Sequence, residues 1–591
     1  MTNYRRPKMV NWYNPRQLSA TAMKAVISGI FAGYADKREM QAALDPEKKG
    51  YTPEFDSEQG VWFDFISDTG DGFNSTYTVA DLSAQQLSLH YELNGTPTSV
   101  TLPAAQMLIL GGDQVYPTPS MEEYEDRFRI PFRAASTKHH KDGLKRMMYA
   151  IPGNHDWYDG LGNFIKLFCQ QRQVGQWQTC QHRSYFAIKL PSNYWLWAID
   201  VQLASDIDQP QKDYFEDIVV KDMQDGDQII LCTSEPAWVY QCIYRDDTSY
   251  EKLKFFLEYF VNKSKYCFPG KKEVSLAACI TGDLHHYSRY EESAAGEIAT
   301  GKIQMITAGG GGAFLHPTHN LPLYNEKEGD ESLNSSEAVR LELKSCYPSK
   351  KESRLLLLRV LLFPFYNPAF VLTMITIQAL LGYLLICSGR ATGESFSCKL
   401  AAVTTLPDYM LLFVRHLLLN PPVLIINIAI IAGLTAFTDR RSGKFNYWLL
   451  GTLHGVLQLA CLFWCLWLYS FLYVFHPFDD KLASQIFYSV AALLTGGLAG
   501  SFLMGFYLWF TNRVLDIHIN ESFSALGHSH FKNFLRMHIT PQGDLEIYPI
   551  GIRKVVTRWQ QHGADEKMQF NSKNKADYHL IEPPIIIKKK V

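Results

Sequence analysis

Acidic, amide, phenol and imidazole side chains recur just past short apolar runs in the amino-terminal half of the chain. They are Asp68, Asp113, Tyr116, Asn154, Glu235, Asp283 and His285. An oxygen-rich set of this kind suits Mn²⁺, Mg²⁺ or iron better than it suits a thiolate-type zinc site. Because one divalent ion would leave so many anionic ligands with excess negative charge, the residues predict two metal ions bridged by one carboxylate.

The motif Gly153-Asn154-His155-Asp156 also offers a proton carrier. Asn154 has a neutral carbonyl oxygen for a hard cation, and His155 beside Asp156 predicts an oriented imidazole that exchanges a proton with a substrate. Taken alone, these four residues are more typical of a plain turn at a strand end. The other motifs along the chain favour the catalytic interpretation.

The elements that must position these side chains are predicted as buried strands of an α/β fold. Continuous apolar runs that stop at Gly, Asn or Asp are typical of parallel strands whose carboxyl ends share one edge of a sheet. The predicted strands are Val61–Ile66, Met107–Leu110, Met148–Pro152, Tyr194–Ile199, Gln228–Cys232, Leu276–Ile280 and Lys302–Thr307. The last leads into Gly309–Gly312, which would either bring backbone N–H groups to a phosphate or form a tight loop.

The chain changes character after about residue 350, where long apolar runs replace mixed sequence. Four runs approach the ~20 largely apolar residues needed to cross a bilayer. They are Pro368–Ile386, Val423–Phe437, Trp448–Val474 and Ile486–Phe510. The second is short unless it includes Met410–Leu419 before a kink at Pro421-Pro422. The sequence therefore predicts an all-α membrane region of about four transmembrane helices.

Lys and Arg residues concentrate before the first span, between the second and third, and after the fourth. By the positive-inside rule, this distribution predicts that the large amino-terminal region and the carboxyl tail are both cytoplasmic. The formal net charge of −2 gives no argument for a nucleic-acid partner.

Four motifs, in order, resemble those of the calcineurin-like metallophosphoesterases. They are Asp68-x-Gly70, Gly112-Asp113-x-x-Tyr116, Gly153-Asn154-His155-Asp156 and Gly282-Asp283-x-His285. The first two look most like the purple acid phosphatase branch, and the resemblance covers about residues 60–320. It implies a four-layer sandwich of two mixed β-sheets flanked by helices, and hydrolysis of a phosphate ester or anhydride by a metal-activated hydroxide.

The resemblance also implies roles for individual residues. Asp68, Tyr116 and His285 would hold the first metal ion. Asp113 would bridge the two ions, and Asn154 would hold the second. His155, oriented by Asp156, would protonate the leaving group or bind the phosphate.

The chain departs from the family pattern at two positions. Ser234 stands where the family has a histidine, and Asp283 replaces the first histidine of the last motif. Glu235 and Asp283 are therefore the ionised oxygens that we expect at the second metal, with Glu235 one residue out of register.

A second match to the family's final motif, Gly527-His528-Ser529-His530, lies beyond the membrane region. No apolar strand precedes it, and Glu521–Met537 is predicted to be a surface-facing helix. We therefore expect the tail, with the strand-like Leu545–Ile552, to pack on the catalytic domain without supplying metal ligands.

The predicted organisation is an amino-terminal extension (1–59), a catalytic domain (60–325), a linker (326–354), a membrane region (355–512) and a carboxyl-terminal segment (513–591). The predicted function is a membrane-anchored metallophosphoesterase with two divalent or mixed-valence ions, Mn, Fe or Mg in preference to Zn. Its substrate would be a phosphorylated small molecule or a lipid-linked phosphate. The alternative is a membrane receptor or transporter whose soluble domain binds metal or a phosphate ligand without turnover.

Overall fold

The computed structural model describes residues 4–31, 38, 41–42, 48–55, 60–93, 95–201, 207–244, 247–261, 268–293, 302–325, 340–391, 396–439 and 443–589. The chain forms two compact units. The first unit contains Met1–Val10, Ala20–Ser353 and Gly527–Val591, and the second contains Asn11–Ser19 and Arg354–Leu526.

All strands assigned in the described residues belong to the first unit. They are β1 Val61–Ile66, β2 Leu87–Leu93, β3 Thr96–Leu102, β4 Met107–Leu110, β5 Arg146–Ala150, β6 Gln173–Val174, β7 Trp177–Thr179, β8 Phe186–Lys189, β9 Tyr194–Ala198, β10 Gln228–Thr233, β11 Ser275–Thr281, β12 Tyr287–Ser293, β13 Gln304–Ala308, β14 Arg340–Tyr347, β15 Lys532–Ile539, β16 Leu545–Lys554, β17 Gln560–His562, β18 Gln569–Asn571, β19 Asp577–Leu580 and β20 Ile585–Ile587. Its α-helices are Phe73–Ser83, Met121–Glu123, Ile130–His139, Asn154–Trp157, Gly162–Phe168, Gln209–Asp217, Ala237–Ile243 and Ser249–Phe260. The helices Pro15–Phe31 and Lys350–Leu357 each contain a boundary between the units.

Two large mixed sheets organise the first unit. The first sheet has the order β19-β16-β15-β1-β4-β5-β7-β6, with β20 paired to β16, and the second has the order β14-β12-β13-β11-β10-β9-β8. Strands β1, β4 and β5 run parallel to one another, as do β9, β10, β11 and β13. The carboxyl ends of each parallel group therefore share one edge of their sheet.

The core of the first unit forms three apolar layers. One layer lies between the sheets, where Ile109 and Leu535 of the first sheet share a cluster with Leu196 and Ile280 of the second. The outer face of each sheet is covered by helices, through clusters that include Phe132 on the first sheet and Phe256 on the second. The prediction of an α/β unit with two mixed sheets and flanking helices is confirmed at this level.

Strands that were predicted from continuous apolar runs are present at the predicted places, from β1 to β13. Arg340–Tyr347, which falls in the expected linker, forms β14 and pairs antiparallel with β12. One prediction was wrong. The predicted helix Glu521–Met537 is limited to Ile519–Ser524, and Lys532–Ile539 is a strand in the interior of the first sheet.

Strand β15 is stabilised by contacts distant in sequence, which explains why its own residues did not reveal it. It pairs antiparallel with β1 on one side and β16 on the other. Arg536, which is fully buried, donates to both carboxylate oxygens of Asp64 in β1, at 2.8 and 2.9 Å. Asp64 is therefore an internal ion-pair partner on β1.

The second unit is helical in its described part. Its α-helices include Phe363–Tyr366, Pro368–Ala391, Phe396–Ala402, Leu406–Leu419, Pro421–Phe437, Lys444–Phe475, Lys481–Leu515 and Ile519–Ser524. Three segments of the described chain, Pro368–Cys387, Phe445–Phe475 and Lys481–Leu515, are long and apolar enough to cross a membrane. The pair Leu406–Leu419 and Pro421–Phe437, bent by 107° at the predicted kink, makes a fourth if it counts as one span. Apolar side chains such as Leu372, Ile425 and Trp448 face outward, as lipid contact requires.

Candidate metal centre

Three carboxylates converge where strands of both sheets end. Asp68 follows β1, Asp113 follows β4, and Asp283 follows β11 of the second sheet. Each offers one oxygen, and these oxygens all lie within 4.8 Å of one another. All three residues have left-handed backbone conformations, with φ of 58°, 50° and 66°. Non-glycine residues rarely adopt such angles outside functional sites and turns, so the backbone is shaped to bring these carboxylates together.

Glycines beside the cluster make room for the carboxylates. A Cβ atom at Gly153 would lie 2.1 Å from Oδ1 of Asp113, and one at Gly282 would lie 2.6 Å from Oδ2 of Asp68. Both distances are far below van der Waals contact, so any other residue would displace a carboxylate. The sequence motifs thus place glycine where the acidic groups need the space.

Tyr116 and His285 complete one side of the cluster. The Tyr116 hydroxyl lies 3.1 Å from Oδ1 of Asp68, 3.0 Å from Oδ2 of Asp113 and 3.0 Å from Nε2 of His285. Nδ1 of His285 donates to the carbonyl of Phe314 at 2.7 Å, which leaves the proton off Nε2. A histidine held in this way by a backbone carbonyl is oriented as metal-binding histidines are.

The negative charges of the three clustered carboxylates repel one another. Burial, followed by the charge of Asp283, raises the pKa of Asp113 to about 8. The pKa of Asp68 is also raised, first by burial and then by Asp113 and Asp283. Burial lowers the pKa of His285, so its imidazole is neutral at neutral pH. Crowded carboxylates beside a neutral imidazole are the donor set that a divalent cation stabilises.

Two oxygen atoms next to the cluster are buried without a hydrogen-bond partner among the described residues. They are Oδ1 of Asn154 and Oγ of Ser234. Ser234 approaches the site from β10, because a Cβ at Gly112 would lie 3.3 Å from its Cβ. Buried polar atoms normally have partners, so these two oxygens are candidate donors to a bound cation.

Glu235 is a predicted ligand that does not join the three clustered carboxylates. It is absent from the group of clustered carboxylates among the described residues. Its side chain lines a separate cavity with Lys252, and burial followed by the charge of Asp283 raises its pKa to about 8. Within the pair at the end of β10, Ser234 is the residue next to the site, one position earlier than expected.

His155 lies at the site, but its expected orienting partner is replaced. Nδ1 donates to the carbonyl of Pro117 at 2.9 Å, and the backbone N–H donates to Oδ1 of Asp113 at 2.8 Å. The Asp156 carboxylate accepts instead from the N–H of Gly153 at 2.9 Å and from the Tyr124 hydroxyl. Asp156 therefore holds the turn that carries Asn154 and His155, and a backbone carbonyl orients the imidazole.

Three neighbours of the cluster were not assigned to it from the sequence. The Tyr240 hydroxyl donates to Asp283, the ring of His316 stacks on His285 with 3.9 Å between centroids, and Lys532 lies behind Asp68. His316 follows the glycine run closely, and that proximity was the only local signal. No local sequence pattern around Tyr240 or Lys532 indicates a place at the metal centre, because only the folded chain brings these residues there.

The glycine run is a tight loop. The N–H of Gly311 donates to the carbonyl of Ser67 at 2.9 Å, and a Cβ at Gly309 would lie 2.7 Å from Oδ2 of Asp68. The loop packs against the turn that carries Asp68, which favours the structural alternative over a phosphate cradle.

The tail motif lies in the first unit without forming part of the carboxylate cluster. The carbonyl of His528 accepts from the N–H of Leu315 at 3.1 Å, and Nδ1 of His530 lies 3.4 Å from the N–H of Val555. No protein-family model matches the chain, and no curated protein matches it either. Any function for the site therefore has to be argued from its geometry.

Proposed function

We propose that the protein is a membrane-anchored, dinuclear metal-dependent phosphoesterase with the four-layer fold of the calcineurin-like enzymes. The observation that carries this proposal is the convergence of Asp68, Asp113 and Asp283 from the ends of strands in two sheets. Buried acidic groups that close to one another are costly unless a cation binds them.

The side chains fit two metal positions that share Asp113. Asp68, Tyr116 and His285 would hold the first ion, since all three lie around the same point as Asp113. This set is rich in oxygen and contains one nitrogen, which suits Mn, Fe or Mg better than Zn.

The second position would use Asn154, Asp283 and Ser234. Both Asn154 and Ser234 offer a buried oxygen that has no partner in the described protein. Ser234 takes the place that the sequence assigned to Glu235, because it is the residue that borders Gly112.

The bound ions would act as Lewis acids on the phosphoryl oxygens and would lower the pKa of a water molecule. His155 would act on the proton through Nε2, because its Nδ1 donates to the Pro117 carbonyl. Burial lowers the pKa of His155 to about 4, so Nε2 of the resting imidazole carries no proton. A bound anionic phosphate would raise this pKa, and the imidazolium that then forms would protonate the leaving oxygen from Nε2. Tyr116 and Tyr158 flank the imidazole, with ring centroids 4.4 and 4.8 Å away, and restrict its rotation.

The apolar helices support anchoring at a bilayer. The distribution of Lys and Arg in the sequence favours a catalytic unit on the cytoplasmic side. Such an anchor brings the site close to lipid-linked phosphates, although a soluble phosphorylated molecule would reach it as well. Both substrate classes therefore belong in the assay.

The test uses the purified full-length chain in detergent. Metal content is measured by mass spectrometry, and Mn²⁺-supported hydrolysis of phosphomonoester and phosphodiester substrates is followed for the wild type, Asp113→Asn and the control Asp577→Asn. Asp577 is an exposed acid in the same unit. We expect Asp113→Asn to lose bound metal and most of the rate, and the control to keep both.

Unchanged rates in Asp113→Asn would exclude the dinuclear mechanism. Metal bound by the wild type without turnover of any substrate would favour the alternative, a receptor or transporter domain that binds metal or phosphate.

A further inference from the structure

One short segment, Ala313–Phe314, holds several residues of the metal centre through its backbone. The N–H of Ala313 donates to the carbonyl of Asp68 at 2.8 Å, and the carbonyl of Phe314 accepts from Nδ1 of His285 at 2.7 Å. The N–H of Phe314 donates to Oδ2 of Asp71 at 3.1 Å. This segment therefore sets the positions of two expected ligands of the first metal.

The remaining polar group of that segment, the Ala313 carbonyl, accepts from Nζ of Lys532. Lys532 begins β15, and its side chain is fully buried. Burial lowers the pKa of Lys532 to about 7, against the opposing effect of the Asp71 and Asp68 carboxylates. Lysine is almost never fully buried without a compensating partner, so a lysine at this place requires a reason.

We propose that Lys532 is a positioning residue of the metal centre. Its side-chain nitrogen donates to the Ala313 carbonyl and thereby holds the peptide that orients Asp68 and His285. In its protonated form, its charge also offsets the carboxylates of Asp71 and Asp68. This inference rests on the proposed function, because it assumes that these ligands bind metal.

A purely structural role for Lys532 leads to a different expectation. A residue that only stabilises the fold would change the unfolding temperature and leave the metal affinity of the folded protein unchanged. A residue that orients ligands changes the metal affinity itself. Groups bonded directly to a metal ligand typically contribute about 10–100-fold, and Lys532, which acts through the Ala313–Phe314 backbone, belongs at the lower end of this range.

The experiment compares the full-length wild type with Lys532→Met, Lys532→Arg and Lys554→Met. Met keeps the approximate volume and removes the charge and the donor, Arg restores both, and Lys554 is an exposed lysine of β16. Mn²⁺ affinity is measured from the electron paramagnetic resonance signal of free Mn²⁺. The absorption spectrum of the Co²⁺-loaded protein reports the ligand geometry.

We expect about 10-fold weaker Mn²⁺ binding and an altered Co²⁺ spectrum for Lys532→Met. Lys532→Arg should recover most of the affinity, and Lys554→Met should match the wild type. Wild-type affinity and spectrum in Lys532→Met would overturn the inference while leaving the proposed function intact.

If Lys532→Met does not fold, Lys532→Gln takes its place, because Gln keeps a donor for Ala313 without the charge. Wild-type affinity in Lys532→Gln would overturn the electrostatic part of the inference. A wild-type protein that binds no metal would overturn the proposed function and this inference together.

Discussion

The ion pair between Arg536 and Asp64 gives the sharpest test of how the tail is built into the first sheet. Arg536 bonds both oxygens of Asp64 and also donates to the carbonyls of Ser83 at 2.6 Å and Gln85 at 2.9 Å. Arg536→Met would leave a buried carboxylate without its partner. Breaking a buried pair from one side costs about 3–5 kcal/mol, and we expect a loss of unfolding free energy in this range.

The double variant Asp64→Leu/Arg536→Met also removes the carboxylate that Arg536→Met alone leaves without its partner. Because the carbonyls of Ser83 and Gln85 still lack their donor, it should remain about 1–3 kcal/mol less stable than the wild type. Urea unfolding, followed by hydrogen exchange in peptides from β15, measures these differences locally.

The cost of Arg536→Met should also depend on pH. Burial raises the pKa of Asp64 while Arg536 lowers it, so removing Arg536 raises this pKa further. As pH falls, Asp64 takes up a proton and the penalty shrinks. A cost below about 1 kcal/mol, or one independent of pH, would refute the account of a buried charge pair.

Three further predictions concern the site and its surroundings. His155→Ala should lower the rate by about 10²–10⁴-fold with metal content unchanged, because it removes a proton donor and no ligand; loss of metal would contradict this role. His528→Ala and His530→Ala should each keep wild-type metal content, and a drop in either would return the tail motif to the list of ligands. The pKa of Asp200 is raised to about 6 by burial, although Trp157 donates to its carboxylate. Its contribution to stability is therefore full below its unfolded pKa and lost as pH rises through 6, so Asp200→Asn should flatten this part of the pH profile of urea unfolding.

Sequence reasoning located most of the central strands because their signal is local. A strand buried on both faces is a continuous apolar run that ends at turn residues, as at Met107–Leu110 and Gln228–Thr233. Strand-end spacing also indicated which acidic residues would meet, and Asp68, Asp113 and Asp283 do meet.

The end of β10 shows the limit of the same signal. A run that is buried on both faces does not alternate, so it gives no information about which face the next residue occupies. The family pattern put Ser234 in register, and Glu235 was preferred because it carries an ionised oxygen. The structure places Ser234 beside Gly112.

Strand β15 was missed for the opposite reason. Lys532, Asn533 and Arg536 are all fully buried, yet their side chains would suit a solvated surface. The charge of Arg536 is balanced by the carboxylate of Asp64 in β1. The amine of Lys532 interacts with the carboxylates of Asp71 and Asp68. Partners that lie hundreds of residues away leave no local pattern.

The position of β15 also determines when the first sheet can be completed during synthesis. At about 5–20 residues per second, translating Arg354–Leu526 takes roughly 10–35 s after Ser353 has been made. Throughout that interval β1 lacks its antiparallel neighbour, and its unpaired edge is open to association with other chains. Completion of the first sheet therefore has to wait until the whole helical unit has been synthesised.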